Sequence, residues 1–438
     1  MAPREKISST IAAFACEVAD AACGSLGVRK LGSIFYGWKM AGACFGVAVC
    51  SWALGFFGSS VYLHSLSVTN GWPIGQVSSA ISLSYFTSAL CLGFVGTAIQ
   101  RFGPRPIFSI GAILLGAGVV ALGRATAPWH AYIDFGMIGL GWSCLSSVSI
   151  SAALAPWFER HQGRAVSLAL LGASVSGIIG VPSLLFAISE LGFRSAMLAV
   201  GSAGTLAILL FGAFLRHRPE DYGLLPDGAA AAAGESLANA RRWTRGEAFR
   251  TFQLWTVILA FGLALLVQIG FCTHQVEMLL PEMGAAGCAA VISSSAAASF
   301  AGRMILSRYA DRINPRIIAS FVFLFAATAL MLLASSRSSA VLFFGCVAYG
   351  STIGNTTTLG PIVVRREFGS VSFASVMGAA AVFMQTLSSA GPGLFGMGYE
   401  YSGGYGVPLF LAGLLDLVAA AAVAKGAVIW HPRLVTQK

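Results

Sequence analysis

Charge is scarce in this sequence. Asp, Glu, Lys and Arg make up only 10% of it, while 56% is hydrophobic and the mean hydropathy is +0.78. Soluble domains carry about 25% charged residues. A soluble chain of 438 residues would need far more polar surface to cover its core. A helical protein that crosses a membrane several times needs none where lipid covers it. Acids are scarcer than bases, 17 against 27. A basic balance of this kind can mark a nucleic-acid partner, but that needs a soluble basic face, and none is visible, so nucleic acid is excluded as a partner.

Paired cysteines are also lacking. Cys16, Cys23, Cys44, Cys50, Cys91, Cys144, Cys272, Cys288 and Cys346 are scattered singly, most of them in apolar stretches. They read as small buried apolar residues, not as a disulfide framework or a zinc site. The sequence shows no phosphate-binding loop, no metal-ligand cluster and no nucleophile–base arrangement. No cofactor and no enzymatic chemistry are therefore expected. No signal peptide is evident, since residues 1–34 are mixed and partly charged.

Long apolar runs are plentiful. Segments able to cross a bilayer, about 20 residues each, fall at 37–63, 75–99, 106–123, 130–156, 164–188 and 195–215. After a polar stretch, six more follow at 252–281, 288–309, 316–335, 339–364, 371–396 and 405–430. They are numbered spans 1 to 12 below. The domains expected are a segment at 1–34, a six-helix bundle at 35–215, a linker at 216–250, a second bundle at 251–430 and a tail at 431–438. Ile7, Ile11, Phe14 and Val18 have helical spacing, so the first segment is either an interfacial helix or a disordered tail. Lys and Arg concentrate in the even-numbered turns and the linker, with only Arg124, Arg194 and Arg337 on the other side. By the positive-inside rule both termini and the linker face the cytoplasm, in an inner (plasma) membrane.

One basic turn occurs twice. Arg101-Phe102-Gly103-Pro104-Arg105 joins spans 2 and 3, and Arg312-Ile313-Asn314-Pro315-Arg316 joins spans 8 and 9. A basic turn repeated once per half implies two related units in the same orientation, an arrangement that points to a transporter. The alternative is that these residues only set topology.

With its flanks, Gly96 to Arg105 and Ser307 to Arg316, the turn resembles the loop signature of the major facilitator superfamily. The resemblance implies an all-α membrane protein with twelve transmembrane helices in two six-helix bundles. An acid precedes the first base in that signature and helps to latch the cytoplasmic face. Asp311 keeps it and Gln100 departs from it, so the first latch should be weaker or differently wired. Further marks are Tyr36-Gly37-Trp38, Asn70-Gly71-Trp72, Pro156-Trp157-Phe158-Glu159-Arg160, Gly192-Phe193-Arg194 and Arg218-Pro219-Glu220-Asp221-Tyr222-Gly223. In this order they resemble the bacterial branch of the monocarboxylate transporter family, which includes oxalate/formate antiporters. The resemblance implies alternating-access transport of a small organic anion across the lipid bilayer, by proton symport or anion exchange, with a monomer sufficient. The competing reading is a carrier or exporter for a neutral or cationic small molecule.

Arg303, in span 8, is the leading candidate for the substrate site. A guanidinium near the bilayer centre costs at least ~2.5–3.5 kcal/mol, so it should face a polar cavity, where its fork of donors suits a carboxylate. The resemblance implies that role at this position. The alternative is that Arg303 snorkels to the interface. Two family features are missing: Ser299 stands where an Asp precedes the Arg by four, and Gly55-Phe56-Phe57-Gly58 stands where span 1 has a Lys. Both missing groups belong to proton coupling in the family. His274 in span 7 could bond substrate, accept a proton or be a satisfied structural group, and Glu277 is expected to be solvated at the outer mouth. Tyr62, Asn355 and Gln385 are further substrate candidates, though hydroxyl and amide groups often bond to their own helix. Asp416 in span 12 should have a structural partner, because an acid at depth is costly.

Overall fold

The computed structural model describes residues 35–158, 161–228, 243–309 and 313–428. The expectations for 1–34, for the tail and for Asp311 and Arg312 lie outside these residues. Nine helices among those described are long and apolar enough to cross a membrane. In the first half these are Tyr36–Asn70, Ile74–Phe102, Pro104–Leu122, Pro128–Trp157, Gln162–Leu191 and Phe193–Ala213. They correspond to spans 1 to 6.

In the second half, spans 7 and 8 form one run, Phe252–Tyr309, interrupted at Gly284, where φ is 66°. Spans 10 and 11 form Ser339–Ser388, interrupted at Gly369, where φ is 76°, and continue as Gly391–Ser402. A left-handed residue in a reversal between helices favours glycine, which has no Cβ to clash. Span 9 is Pro315–Ser335 and span 12 is Gly406–Val428. Dividing Phe252–Tyr309 at Gly284 and adding the two segments of Ser339–Ser388, which are not among the nine, gives twelve helical segments among the described residues, six per half.

Local chemistry sets many of these ends. Pro104, Pro128 and Pro315 open their helices, where a missing N–H costs nothing. Asn314 and Ser338 cap the helices that follow them. Small residues bring the helices close: a Cβ on Gly139 would strike the Ser84 carbonyl, and one on Gly391 the Leu266 carbonyl.

Two departures from regular helix matter for the site. Span 1 contains a π-helical turn at Ala53–Phe57, a feature frequent at functional sites. Span 4 is broken at Ser146, whose backbone is extended (φ −67°, ψ 171°), and a fresh helix begins at Ser147–Leu154. The serines cause the break. Ser146 and Ser149 both donate from Oγ to the Ser143 carbonyl, at 3.2 and 2.6 Å, competing with the helical ladder.

The halves are bonded to each other on the face away from the basic turns. His64 in span 1 pairs with Glu277 in span 7 at 2.5 Å. The Gly75 N–H donates to Glu400 Oε1 at 2.8 Å, and the Gly393 N–H to Ser82 Oγ at 2.8 Å. Glu277 is therefore paired across the halves, not solvated.

The two basic turns behave differently. Arg101 and Arg105 are exposed, and the Arg101 guanidinium lies over the Phe102 ring at 5.2 Å. Gln100 borders a small pocket with His217 and Pro104. Arg316, by contrast, is 1% exposed and bonds Glu367 bidentately at 2.5 and 2.9 Å. It also donates to Thr256 Oγ1 and the Gln253 carbonyl, each at 2.9 Å. These contacts lie within the second half, binding span 9 to spans 7 and 10. Asp416 is 1% exposed, and its Oδ2 has no hydrogen bond among the described residues.

Candidate functional site

A cavity of about 160 Å³ lies between the halves. The first half supplies an aromatic wall. Trp52, Phe56 and Phe57 come from the π-helical turn and its approach, and Trp142 from the end of the first part of span 4. The Trp52 and Trp142 rings meet edge to face at 4.6 Å. Tyr85, Ser88, Ser146 and Ser147 complete this side.

The second half supplies the polar wall: Gln268 and Gln275 from span 7, Ser299 and Arg303 from span 8, Thr357 from span 10 and Gln385 from span 11. Arg303 provides the charge, and no acid lines the cavity among the described residues. Its Nη2 reaches Thr357 Oγ1 at 3.5 Å, the outer limit of a hydrogen bond, and its Nε has no partner. Gln268 Oε1 and Ser88 Oγ are likewise buried without partners among the described residues. Such groups are costly to leave unsatisfied. The described lining thus combines one guanidinium, several open polar groups and a flat aromatic face.

Arg303 and Gln385 are thus brought together, whereas the other sequence candidates stand apart from the lining. Tyr62 is 1% exposed and packs against Gly58. Asn355 donates to the Ser351 carbonyl of its own helix at 3.2 Å and packs against Gly302, beside Arg303. His274 is 2% exposed, and both its ring nitrogens are occupied. Nε2 donates to the Pro392 carbonyl at 3.0 Å and lies 3.2 Å from Ser78 Oγ, while Nδ1 accepts from Tyr405 Oη at 3.0 Å. The protonated nitrogen is assigned from these partners. The ring is a strut between spans 7, 11 and 12, with a contact to span 2.

Gln268 and Gln275 were not singled out from sequence. Their spacing of seven residues, two helical turns, places both on one face of an apolar span, and that was the available signal. The aromatic wall gave none, since Trp and Phe in a spanning helix are ordinary.

Comparison with known proteins follows the same direction. The model of the Major Facilitator Superfamily matches residues 43–392. Human monocarboxylate transporter 11 is 27% identical over 404 residues, covering 87% of this chain and 81% of its own. Rat monocarboxylate transporter 13 is 25% identical over 335 residues, 74% of each. Among solved structures, a bacterial homologue of the human lysosomal transporter Spinster, inward-facing and occupied, superposes with a TM-score of 0.70 at 14% identity. That alignment covers 92% of this chain and 100% of the other. The nucleoside transporter NupG, as a mutant, gives a TM-score of 0.67 at 12% identity, covering 89% and 99%. At these identities the structures speak for the fold alone. The fold, the repeated turn and the family match together make this chain a member of the major facilitator superfamily of transporters, similar in sequence to the monocarboxylate transporters.

Proposed function

We propose that this protein carries a small organic anion, a monocarboxylate in the first instance, across the membrane by alternating access. The observation that carries the reading is Arg303, a guanidinium in the central cavity with an open Nε and no acid beside it among the described residues. An organic cation would find no counter-charge among the lining residues. The cavity is smaller than the ~300–1,000 Å³ of drug-sized sites, which favours a compact solute. The names of the relatives support the same class of substrate.

In this reading Arg303 holds the carboxylate and Gln385 contacts it, with Tyr62, Asn355 and His274 acting from behind the lining. The bundles at 35–215 and 251–430 rock about the bound anion, tethered by the linker at 216–250, and one monomer suffices. The basic turns and both termini lie on the cytoplasmic side of the inner membrane. The conformation bonded on the opposite face is then the inward-facing one. Transport is coupled to a proton or to a counter-anion.

The test is uptake of labelled lactate or pyruvate into proteoliposomes. Arg303→Ala should reduce uptake to background while the protein still inserts at the wild-type level. Uptake that survives this change would sink the reading.

A further inference from the structure

We infer that the broken span 4 provides a second recognition point in the cavity, an oxygen subsite facing Arg303 from the other half. The inference rests on the carboxylate reading above and extends it: the preferred substrate carries a second acceptor oxygen beside its carboxylate.

The break at Ser146 leaves Ser147–Leu154 as a separate eight-residue helix whose start, Ser146 and Ser147, lines the cavity. The first N–H groups of a helix have no carbonyl of their own helix to bond, and they attract negative charge. The Ser146 hydroxyl lies 3.4 Å from the Ser149 N–H, so the cap does not serve Ser147 or Val148. Half-helix starts at the centre of a transporter serve anionic groups in this way. An independent observation points to the same ligand. Ser88, on neighbouring span 2, is 1% exposed, lines the same cavity, and its Oγ is without a partner. A buried hydroxyl with no bonded partner among the described residues, in the same cavity lining as the start of this helix, is placed for an acceptor oxygen. The cation lies on the second half and these neutral donors on the first. A two-point ligand therefore bridges the bundles.

The chemistry admits a neutral carbonyl or a second carboxylate. Propionate, pyruvate and malonate separate these, since all have three carbons and differ in the second oxygen group. Their binding to the purified full-length protein can be followed by tryptophan fluorescence, since Trp52 and Trp142 line the cavity. Pyruvate, malonate or both should bind about tenfold more tightly than propionate, the ordinary worth of a hydrogen bond to a charged or strongly polar group. Whichever gains identifies the oxygen.

Ser147→Pro is the decisive variant. Proline is accepted at a first helical position, and Ser146 already has the extended backbone that a following proline requires. The change removes one N–H together with the Ser147 hydroxyl, both donors at this end of the cavity, and keeps the helix. Ser147→Pro should erase most of the preference and leave propionate within about twofold, less than any hydrogen bond is worth. Ser88→Ala should do the same more weakly, and it decides the matter if the proline variant does not fold. Equal binding of the three acids, a preference unchanged in both variants, or equal weakening of all three would overturn the subsite. Arg303→Gln tests the underlying reading separately: it should abolish binding of all three acids, and undiminished binding would refute the carboxylate site itself.

Discussion

His64 Nδ1 lies 2.5 Å from Glu277 Oε2, joining span 1 to span 7 across the two halves. Both side chains are largely removed from solvent, at 19% and 14% exposure. In the proposed alternating-access cycle this contact must break each time the far face opens. Its strength therefore sets part of the balance between the two conformations.

Glu277→Gln should shift that balance toward the state open on the far face. Loss of a charge-assisted hydrogen bond is worth about 1.5–3 kcal/mol, roughly a tenfold or greater change in population. Spin labels at Val68→Cys and Tyr401→Cys, both exposed positions, would report it in a background without the native cysteines. An unchanged distance distribution would show that the pair does not hold the conformation.

Arg316 and Glu367 form the more deeply buried pair, at 1% and 10% side-chain exposure. Removing one partner strands a buried charge, at a cost of about 3–5 kcal/mol. Arg316→Ala should therefore lower the apparent Tm in detergent markedly. The double change Arg316→Met with Glu367→Leu should recover much of the loss, because no lone charge remains. If the double variant is as unstable as the single one, the polar contacts to Thr256 and Gln253 matter more than the charge.

Sequence alone revealed what local composition encodes. Twelve apolar runs announce twelve crossings, since a bilayer demands length and hydropathy. Arg303 stood out because a charge inside such a run is expensive. What depends on pairing between distant segments stayed hidden. His64 and Glu277 are 213 residues apart, and neither has a local feature that names the other. Glu367 sits in a basic turn, where an acid looks like a solvated neighbour of Arg365 and Arg366. The break at Ser146 was missed because an apolar run is read as one helix by default, although Ser143, Ser146, Ser147 and Ser149 signalled local competition for the backbone. The alternatives for His274 stayed open for a related reason: its partners Tyr405, Pro392 and Ser78 come from three other spans.

His274→Phe should separate a strut from a ligand. The change keeps a ring in place beside Phe395, whose ring lies 5.8 Å away, but strands the Tyr405 hydroxyl and the Pro392 carbonyl. Buried groups left unsatisfied cost about 1–3 kcal/mol each, so thermal stability should fall. Carboxylate affinity of the folded protein should stay within about twofold, less than a hydrogen bond is worth. A large loss of affinity with stability intact would instead place His274 against the substrate.

Gly354 holds the space that Arg303 occupies. It lies on span 10, and a Cβ there would collide with Arg303 Nε and press on its Cγ and on the Ser299 carbonyl. The arginine side chain is flexible and can give way, whereas the Ser299 carbonyl is backbone, so Gly354→Ala should fold only with a small separation of spans 8 and 10. Alanine also suits a helix better than glycine by about 0.5–1 kcal/mol. The guanidinium, however, must leave its place beside Thr357. Anion affinity should fall by roughly tenfold, the scale of one charge-assisted hydrogen bond, while the apparent Tm falls only modestly, since the helix preference of alanine offsets part of the about 1–3 kcal/mol of overpacking. Measuring both on the same preparation distinguishes a displaced Arg303 from general damage. A variant that binds as wild type would mean that the anion does not depend on the position of Arg303.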